Sequence, residues 1–218
     1  MTPVEMQFAF EVKLKSIFKD NNIKLFTSDI EIYLNFGDND VLNKYYQSFD
    51  INLESRRALQ KLIKQHTFLP LDIINKVSYP QNSIYFNLPV DVKYVVSEWV
   101  TIKDVLENLK QIRVYPTSYK NVQLNYENPF RMPDDTICWR VETFDTANQL
   151  QLIYAPDRTV DKYEITYIKV PNKISIATNT PSEIDEAFHY EIVDRAVAEA
   201  AKDLGKELQL KSINKKLD

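Results

Sequence analysis

Apolar residues recur at helical spacing along the first twenty residues of the chain. They form two stripes, each with a spacing of three or four residues: Val4, Phe8 and Val12 in one, and Met6, Phe10, Leu14 and Ile17 in the other. Two apolar stripes on one helix indicate contacts on two sides. The helix is therefore expected either to lie centrally in its own bundle, or to pack on its bundle and on a neighbouring subunit as well.

Local signals fix where this first helix begins. Thr2 is a suitable N-cap, Pro3 suits the first helical position, and Glu5 completes a capping box. We predict that the helix runs to about Asp20.

Two further helices are predicted before residue 70. A capping box at 28–31 (SDIE) begins the second, which we expect to be interrupted or bent at 37–40 (GDND) before resuming to Phe49. The third is predicted over 53–66, with an apolar face and a basic face. The basic face carries Arg56, Arg57, Lys61 and Lys64. It is either a solvated face or a surface for an acidic partner or for phosphates.

The pattern changes to β between residues 71 and 176, where prolines become frequent. Apolar and alternating runs predict strands over 84–88, 94–102, 136–141, 149–154 and 163–170. The alternation at 149–152 (QLQL) predicts a strand with one wet face, and a helical turn is expected at 119–126. We interpret this part as a small antiparallel sheet or sandwich.

The last predicted helix follows Pro181 and has acidic residues in its first turn, at 182–186 (SEIDE). It should end near Gly205, which is a natural helix stop, and the basic tail after it is either frayed helix or disordered. Its broad apolar face consists of Ile192, Val193, Ala196, Val197, Ala200 and Leu204. Such a face needs a partner surface, and the N-terminal helices are the simplest one.

The predicted fold class is therefore α+β: a discontinuous helical bundle with an inserted antiparallel β domain. Residues 1–70 form the N-terminal part of the bundle and 71–178 the inserted β domain. Residues 179–218 supply the helix that completes the bundle, followed by the basic tail.

Composition excludes several function classes. The 218 residues carry a net charge of −4 and include only two glycines, one cysteine and two histidines. Neither a glycine-rich phosphate loop nor a thiolate zinc cluster can be built from them. No apolar run is long enough for a membrane span, and 1–5 (MTPVE) lacks the features of a signal peptide. We expect a soluble intracellular protein, or one assembled inside a cell.

No group of residues meets the requirements of catalysis. Cys138 lies in a predicted strand among bulky groups, as inert packing cysteines do. His189 is expected at the surface or at an interface, and Asp134 and Asp135 at an exposed turn. The prediction is a protein that is not an enzyme and has no cofactor, metal or small-molecule substrate.

Several segments, taken in order, resemble one family. They are 1–11 (MTPVEMQFAFE), 28–31 (SDIE), the basic helix around 56–57 (RR), 86–91 (FNLPVD), 128–133 (NPFRMP), 165–171 (ITYIKVP) and 188–197 (FHYEIVDRAV). Together they resemble the ring, or connector, proteins of crAss-like bacteriophages. Those proteins are similar to the head-to-tail adaptors and tail tubular proteins of short-tailed phages.

The resemblance implies a structural virion protein that forms a ring, commonly of twelve subunits, in the head-to-tail connector below the portal. Its partners would be further copies of itself, the portal and other ring or tail proteins. The ring would surround the channel for genome ejection, with DNA passing without sequence-specific binding. The implied location is the virion tail, after assembly in the host cytoplasm.

Eight residues are the candidate contacts to a neighbouring subunit or ring: Phe8, Arg56, Arg57, Asn128, Phe130, Arg131, Glu183 and Glu186. The basic residues of the third helix are expected to meet acids on the neighbour, such as those at 183–186. Phe130 is expected to anchor an ordered loop at 128–133 that contacts an adjacent subunit or the next ring. The alternative is that this loop packs only within its own β domain. The alternative function is a soluble nucleic-acid-binding module that uses the basic helix at 53–66.

Overall fold

The computed structural model describes residues 1–18, 24–74, 82–126, 128, 130–142 and 148–214, with side chains up to Gly205. The described helices and strands, apart from short 3₁₀ turns, are α1 (Pro3–Phe18), α2 (Thr27–Gln47), α3 (Leu53–Leu59), β1 (Ile63–Phe68), β2 (Ser83–Asn87), β3 (Val92–Lys103), β4 (Leu109–Thr117), α4 (Tyr119–Asn125), β5 (Ile137–Glu142), β6 (Gln149–Ile153), β7 (Thr159–Lys169) and α5 (His189–Asn214). The protein is thus of mixed α and β structure.

The chain forms two compact units. One, the helical unit, comprises Met1–Leu62 and Pro171–Asp218, and the other, the sheet unit, comprises Ile63–Val170. In the helical unit, α5 packs against both α1 and α2. Each unit has its own buried apolar residues.

The start of α1 follows its local sequence. The Thr2 amide donates to Glu5 Oε2 at 2.8 Å, and the Glu5 amide donates to Thr2 Oγ1 at 3.3 Å. The predicted capping box is confirmed. The predicted end of this helix at Asp20 lies outside the described residues.

The predicted break in the second helix is wrong, because α2 is continuous from Thr27 to Gln47. Gly37 lies where α2 crosses α5: a Cβ atom at this position would be 2.4 Å from the carbonyl oxygen of Ile192. The glycine therefore permits a close backbone approach and does not break the helix. The helix also begins slightly earlier than predicted, at Thr27, and Asp29 accepts a hydrogen bond from the amide of Phe26, two residues before the expected cap at Ser28.

Glu31, predicted as part of that cap, instead binds a segment far along the chain. Its Oε1 accepts hydrogen bonds from the amides of Ile176 and Ala177 and from the Ser175 hydroxyl. The Ile176 amide is the main reason why the pKa of this carboxyl lies below its ordinary value. The interaction ties α2 to the segment that precedes α5.

The predicted helix over 53–66 is also wrong. α3 ends at Leu59, a 3₁₀ turn follows, and Ile63–Phe68 form strand β1, which pairs with β7. Lys64 and His66 are therefore strand residues. Backbone pairing with β7 outweighs the local helical pattern of Leu59, Leu62 and Ile63.

The last helix begins later and ends later than its local signals predict. Asp185 caps a short 3₁₀ turn, through a hydrogen bond from the Ala187 amide, and α5 begins only at His189. The helix passes through Gly205 and continues to Asn214. Five residues of the predicted apolar face are buried, as expected: Ile192, Val193, Ala196, Val197 and Ala200. Of the predicted basic tail, Lys215 and Lys216 lie outside the described residues.

The sheet unit is a curled seven-stranded sheet in the order β1-β7-β3-β4-β5-β6-β2. The prediction of an antiparallel sheet holds for every pair except β4 and β5, which are parallel and are joined by a crossover containing α4. β1 and β4 were not predicted from the sequence.

Three aromatic rings link the two edge strands across the interior of the curled sheet. Phe68 of β1 lies 5.1 Å from Phe86 of β2, and both stack near Tyr163 of β7, with ring centroids 5.3 and 5.6 Å apart. The predicted wet face of β6 is wrong, since all five of its residues are buried. Gln151 is accommodated there because its amide donates to the Ser83 hydroxyl at 2.7 Å.

A buried ion pair joins β3 and β5 inside the sheet unit. Arg140 Nε lies 2.8 Å from Glu98 Oε1, and both side chains are almost fully buried. Burial raises the pKa of Glu98, although the Arg140 charge opposes that shift. Removing Arg140 alone would leave the buried Glu98 charge uncompensated, whereas Arg140 also pairs with Glu142 at 2.6 Å.

The two glycines allow a matched test of the helix contact. We expect Gly37→Ala to lower the free energy of unfolding by about 2 kcal/mol or more, because the methyl group would overlap the α5 backbone. The control is Gly205→Ala, where no atom of the described residues lies within 4 Å of the added carbon. It should raise the free energy of unfolding by about 0.5–1 kcal/mol through helix propensity. Thermal unfolding followed at 222 nm measures both, and equal effects would contradict the close-approach interpretation.

Glu31 predicts a specific pH dependence. Because its folded-state pKa is lowered, its stabilisation is present above the ordinary value of 4.5 and is lost as pH falls through the folded-state pKa. We expect Glu31→Gln to cost about 1.5–3 kcal/mol near pH 7, with the difference from wild type shrinking at acidic pH. Denaturant titrations across that range measure it. The control is Glu11→Gln, whose carboxylate accepts from the Gln7 side chain and lies 3.9 Å from the Lys15 ammonium; the same pH-dependent loss there would refute the assignment.

Candidate subunit interface

One face of α1 is apolar and uncovered. Val4, Phe8 and Val12 are 57, 70 and 51 % exposed, whereas Met6, Phe10 and Leu14 on the opposite face are buried. Ile17 belongs to the buried stripe by spacing but is 53 % exposed. Both stripes predicted from the sequence therefore exist, and only one of them is used within the helical unit.

The exposed stripe lines a groove of about 720 Å³. Met1 and Tyr190 contribute to the groove beside the stripe, and Tyr190 comes from the first turn of α5. Contiguous exposed apolar surface with an aromatic residue at its centre is typical of protein–protein contacts.

His189 holds one wall of this groove in place. Its Nδ1 accepts a hydrogen bond from the Met1 ammonium at 3.0 Å, so Nε2 carries the proton and donates to the Ile184 carbonyl oxygen at 3.0 Å. The ring is 2 % exposed, and this burial lowers its pKa. The expectation of a surface histidine is therefore wrong for this chain. No sequence signal placed the ring opposite Met1, because the contact spans the two segments of the helical unit.

Two charged residues around the groove are hydrogen-bonded or ion-paired within the chain. Glu5 accepts from the Thr2 amide, and Lys13 pairs with Asp194 of α5. A partner that covered the apolar stripe would therefore not have to bury the Lys13 charge without a counterion.

The predicted basic residues do not share one helix. Arg56 and Arg57 lie on α3, where the Arg56 guanidinium donates to the carbonyl oxygens of Phe49 and Asp50. Lys64 lies on β1 in the sheet unit and pairs with Asp91 at 2.7 Å. Arg57 is exposed, and it forms no ion pair with another described residue. Arg56 and Arg57 stay predicted contacts to a neighbour.

The loop at 128–133 belongs to the sheet unit. Asn128 Oδ1 accepts from the Phe130 amide at 3.0 Å, and Arg131 donates to Asn125 Oδ1 at 3.3 Å. Phe130 is 94 % exposed. Pro129 lies outside the described residues. The loop is thus turned by its own hydrogen bonds, while its aromatic side chain has no covering contact among the described residues.

The predicted acidic contacts lie before α5. Glu183 Oε2 accepts from the Asn172 amide at 2.8 Å, and Glu186 is exposed at the start of the 3₁₀ turn. Phe8, the two arginines and these two acids belong to the helical unit, whereas Asn128, Phe130 and Arg131 belong to the sheet unit.

The residues considered for chemistry are structural where they are described. Cys138 is buried, and this burial raises the pKa of its thiol. Asp134 caps the turn before β5, and Asp135 forms a two-point ion pair with Arg158. Within the described ranges, no group of three metal-ligating side chains comes together, and no described helix has the length and hydropathy to span a membrane.

Comparison with known proteins gives one family. The family model for phage tail ring protein 3/4 of the crAss-like phages matches residues 1–209. No curated protein matches the chain significantly. The match covers both the helical unit and the sheet unit, and it agrees with the resemblance found in the ordered sequence segments. The chain belongs to the crAss-like phage tail ring protein 3/4 family.

Proposed function

We propose that this protein forms one ring of the head-to-tail connector of a phage virion, below the portal, and that the ring surrounds the channel through which the genome leaves. The observation that carries the proposal is the family match over residues 1–209. The family is one of structural tail proteins that form rings. Three finer parts of the proposal are taken from the connectors that the chain resembles: the position in the connector, a ring of twelve copies and assembly in the host cytoplasm.

The uncovered face of α1 supports self-association. A ring of identical subunits needs a contact that each copy makes with its neighbour on either side. Val4, Phe8 and Val12 present apolar area that a monomer would have no reason to leave in water. Burying one such phenylalanine side chain contributes about 1.5–3 kcal/mol.

The charge of the chain fits passage of DNA better than retention of it. A basic channel wall binds phosphates through counterion release and would slow the genome. With a net charge of −4, the protein has no excess of basic residues to form such a wall overall. A ring whose lumen carried a continuous band of Lys and Arg side chains would contradict this part of the proposal.

The alternative function, nucleic-acid binding by a basic helix over 53–66, loses the element on which it rested. The helix ends at Leu59, and Lys64 lies on a strand of the other unit, paired with Asp91. Nothing else in the described part of the chain favours nucleic-acid binding.

The proposed function is tested first by the native mass of the purified protein and by negative-stain images of the protein and of virions. We expect closed rings in solution or at the portal vertex, and we expect the chain to be present in virions. A monomer that is also absent from virions would overturn the proposal.

The α1 face gives a mutational test of self-association. Phe8→Glu should weaken the contact between subunits at least 30-fold, roughly the factor that about 2 kcal/mol corresponds to. Its melting temperature should stay unchanged, because the side chain is 70 % exposed. The matched control is Ile51→Glu, also in the helical unit and 91 % exposed but away from the stripe. Sedimentation velocity measures both, and equal loss of assembly would argue against the α1 face.

Phe130 gives a separate test of stacking between rings or subunits. We expect Phe130→Ala to impair binding to the adjacent ring or portal. The free energy of unfolding should change by less than about 0.5 kcal/mol, because Phe130 is 94 % exposed. Co-sedimentation with portal complexes measures binding. Equal loss of folding and binding would reject the interface role of this residue.

A further inference from the structure

The helical unit has a second uncovered apolar stripe, on α2. Ile32 and Phe36 are 66 and 46 % exposed, and they lie one helical turn apart. At 100° per residue they point almost directly away from Ile30 and Leu34, which are buried. We call these two residues the α2 stripe, and Val4, Phe8 and Val12 the α1 stripe.

The two stripes lie on different helices, and neither is used for packing within the unit. α5 packs against both helices, and Phe10 of α1 stacks on Tyr33 of α2 with ring centroids 6.1 Å apart. Each stripe lies on the side of its helix opposite the buried residues of that helix. The two stripes are therefore distinct patches, made of different residues.

Two different patches are what a ring of identical subunits requires. A contact between the same patch on both copies is two-fold symmetric and closes at a dimer, whereas a head-to-tail contact joins unlike patches and can close into a ring. We propose that the α1 stripe of one copy packs against the α2 stripe of the neighbouring copy. The inference rests on the proposed function, because it names the partner surface within the same ring.

The two stripes are similar in chemistry and differ in length. The α1 stripe runs from Val4 to Val12, which is eight residue steps or about 12 Å along the helix axis, and the α2 stripe runs over four steps, or about 6 Å. The longer stripe and its groove therefore offer room for the shorter one. Each stripe has one phenylalanine beside β-branched residues, a combination suited to ridges-into-grooves packing of two helices.

Several charges beside the stripes are paired within each copy. On α1, Lys13 pairs with Asp194. On α2, Asp40 pairs with Arg195, and Lys44 pairs with Glu191. The contact between copies is therefore dominated by apolar burial, and it should depend only weakly on salt.

Engineered cysteines test which patches meet. The native Cys138 is the one cysteine of the chain and is buried, so a short bismaleimide reagent will react at the introduced positions. In the double variant Phe8→Cys/Phe36→Cys, we expect a ladder of cross-linked species that extends beyond the dimer. Each single variant alone should give no cross-link. An equal mixture of the two single variants should give dimers only, because each copy then has one reactive patch.

The control pairs Phe8→Cys with Ile51→Cys, which lies in the same unit but outside both stripes, and it should give no ladder. Thermal unfolding of all variants should match wild type, since the three positions are exposed. Two outcomes overturn the inference: dimers from Phe8→Cys alone, which show that α1 pairs with α1, and no ladder from the double variant.

The failure of this inference is distinguishable from the failure of the proposed function. If wild-type rings are seen while the double variant does not cross-link, the α1–α2 pairing is wrong and the ring function stands. If the protein is monomeric and absent from virions, the ring function itself is wrong.

Discussion

The helical unit depends on one close approach between backbones. At Gly37 the axis of α2 comes so near to α5 that an added methyl group would meet the carbonyl oxygen of Ile192. Polar contacts accompany this crossing: Asp40 pairs with Arg195 and the Tyr45 hydroxyl donates to Glu191, both on α5, and Asp38 accepts from the hydroxyl of Ser182, which precedes α5. These contacts join two parts of the chain that the whole sheet unit separates in sequence, and the position of α5 then determines which faces of α1 and α2 are buried.

The sheet unit is stabilised by a different means. Its seven strands curl around a core to which every strand contributes, and aromatic rings from Phe68, Phe86 and Tyr163 link the edge strands. Two polar contacts also lie inside it, between Gln151 and Ser83 and between Arg140 and Glu98. Since each unit has its own core, a change at the surface of one unit can alter assembly without unfolding the chain.

A structural role in a ring explains features that would be unfavourable in a monomer. The α1 and α2 stripes expose apolar area that promotes association, and Phe130 is almost wholly in solvent. Positions where a sequence departs from the rules for a stable monomer are commonly functional sites. In this chain such positions are the exposed apolar side chains. The titratable groups Glu98 and Cys138 are instead buried, Glu98 in an ion pair with Arg140 and Cys138 in a hydrogen bond to the Ile153 carbonyl oxygen.

The sequence by itself determined features that depend on neighbours within a few residues. These include the α1 capping box of Thr2 and Glu5, the helical turn of α4 and most strands. It also contained both stripes of α1, although spacing alone could not tell which one packs inside, because that choice is made by α5. Only the tertiary structure decided that Gly37 is a contact, that Ile63–Phe68 pair with β7 and that β6 is buried on both faces. In each case a distant segment supplies the contact that outweighs the local preference, and local pattern contains no information about that segment.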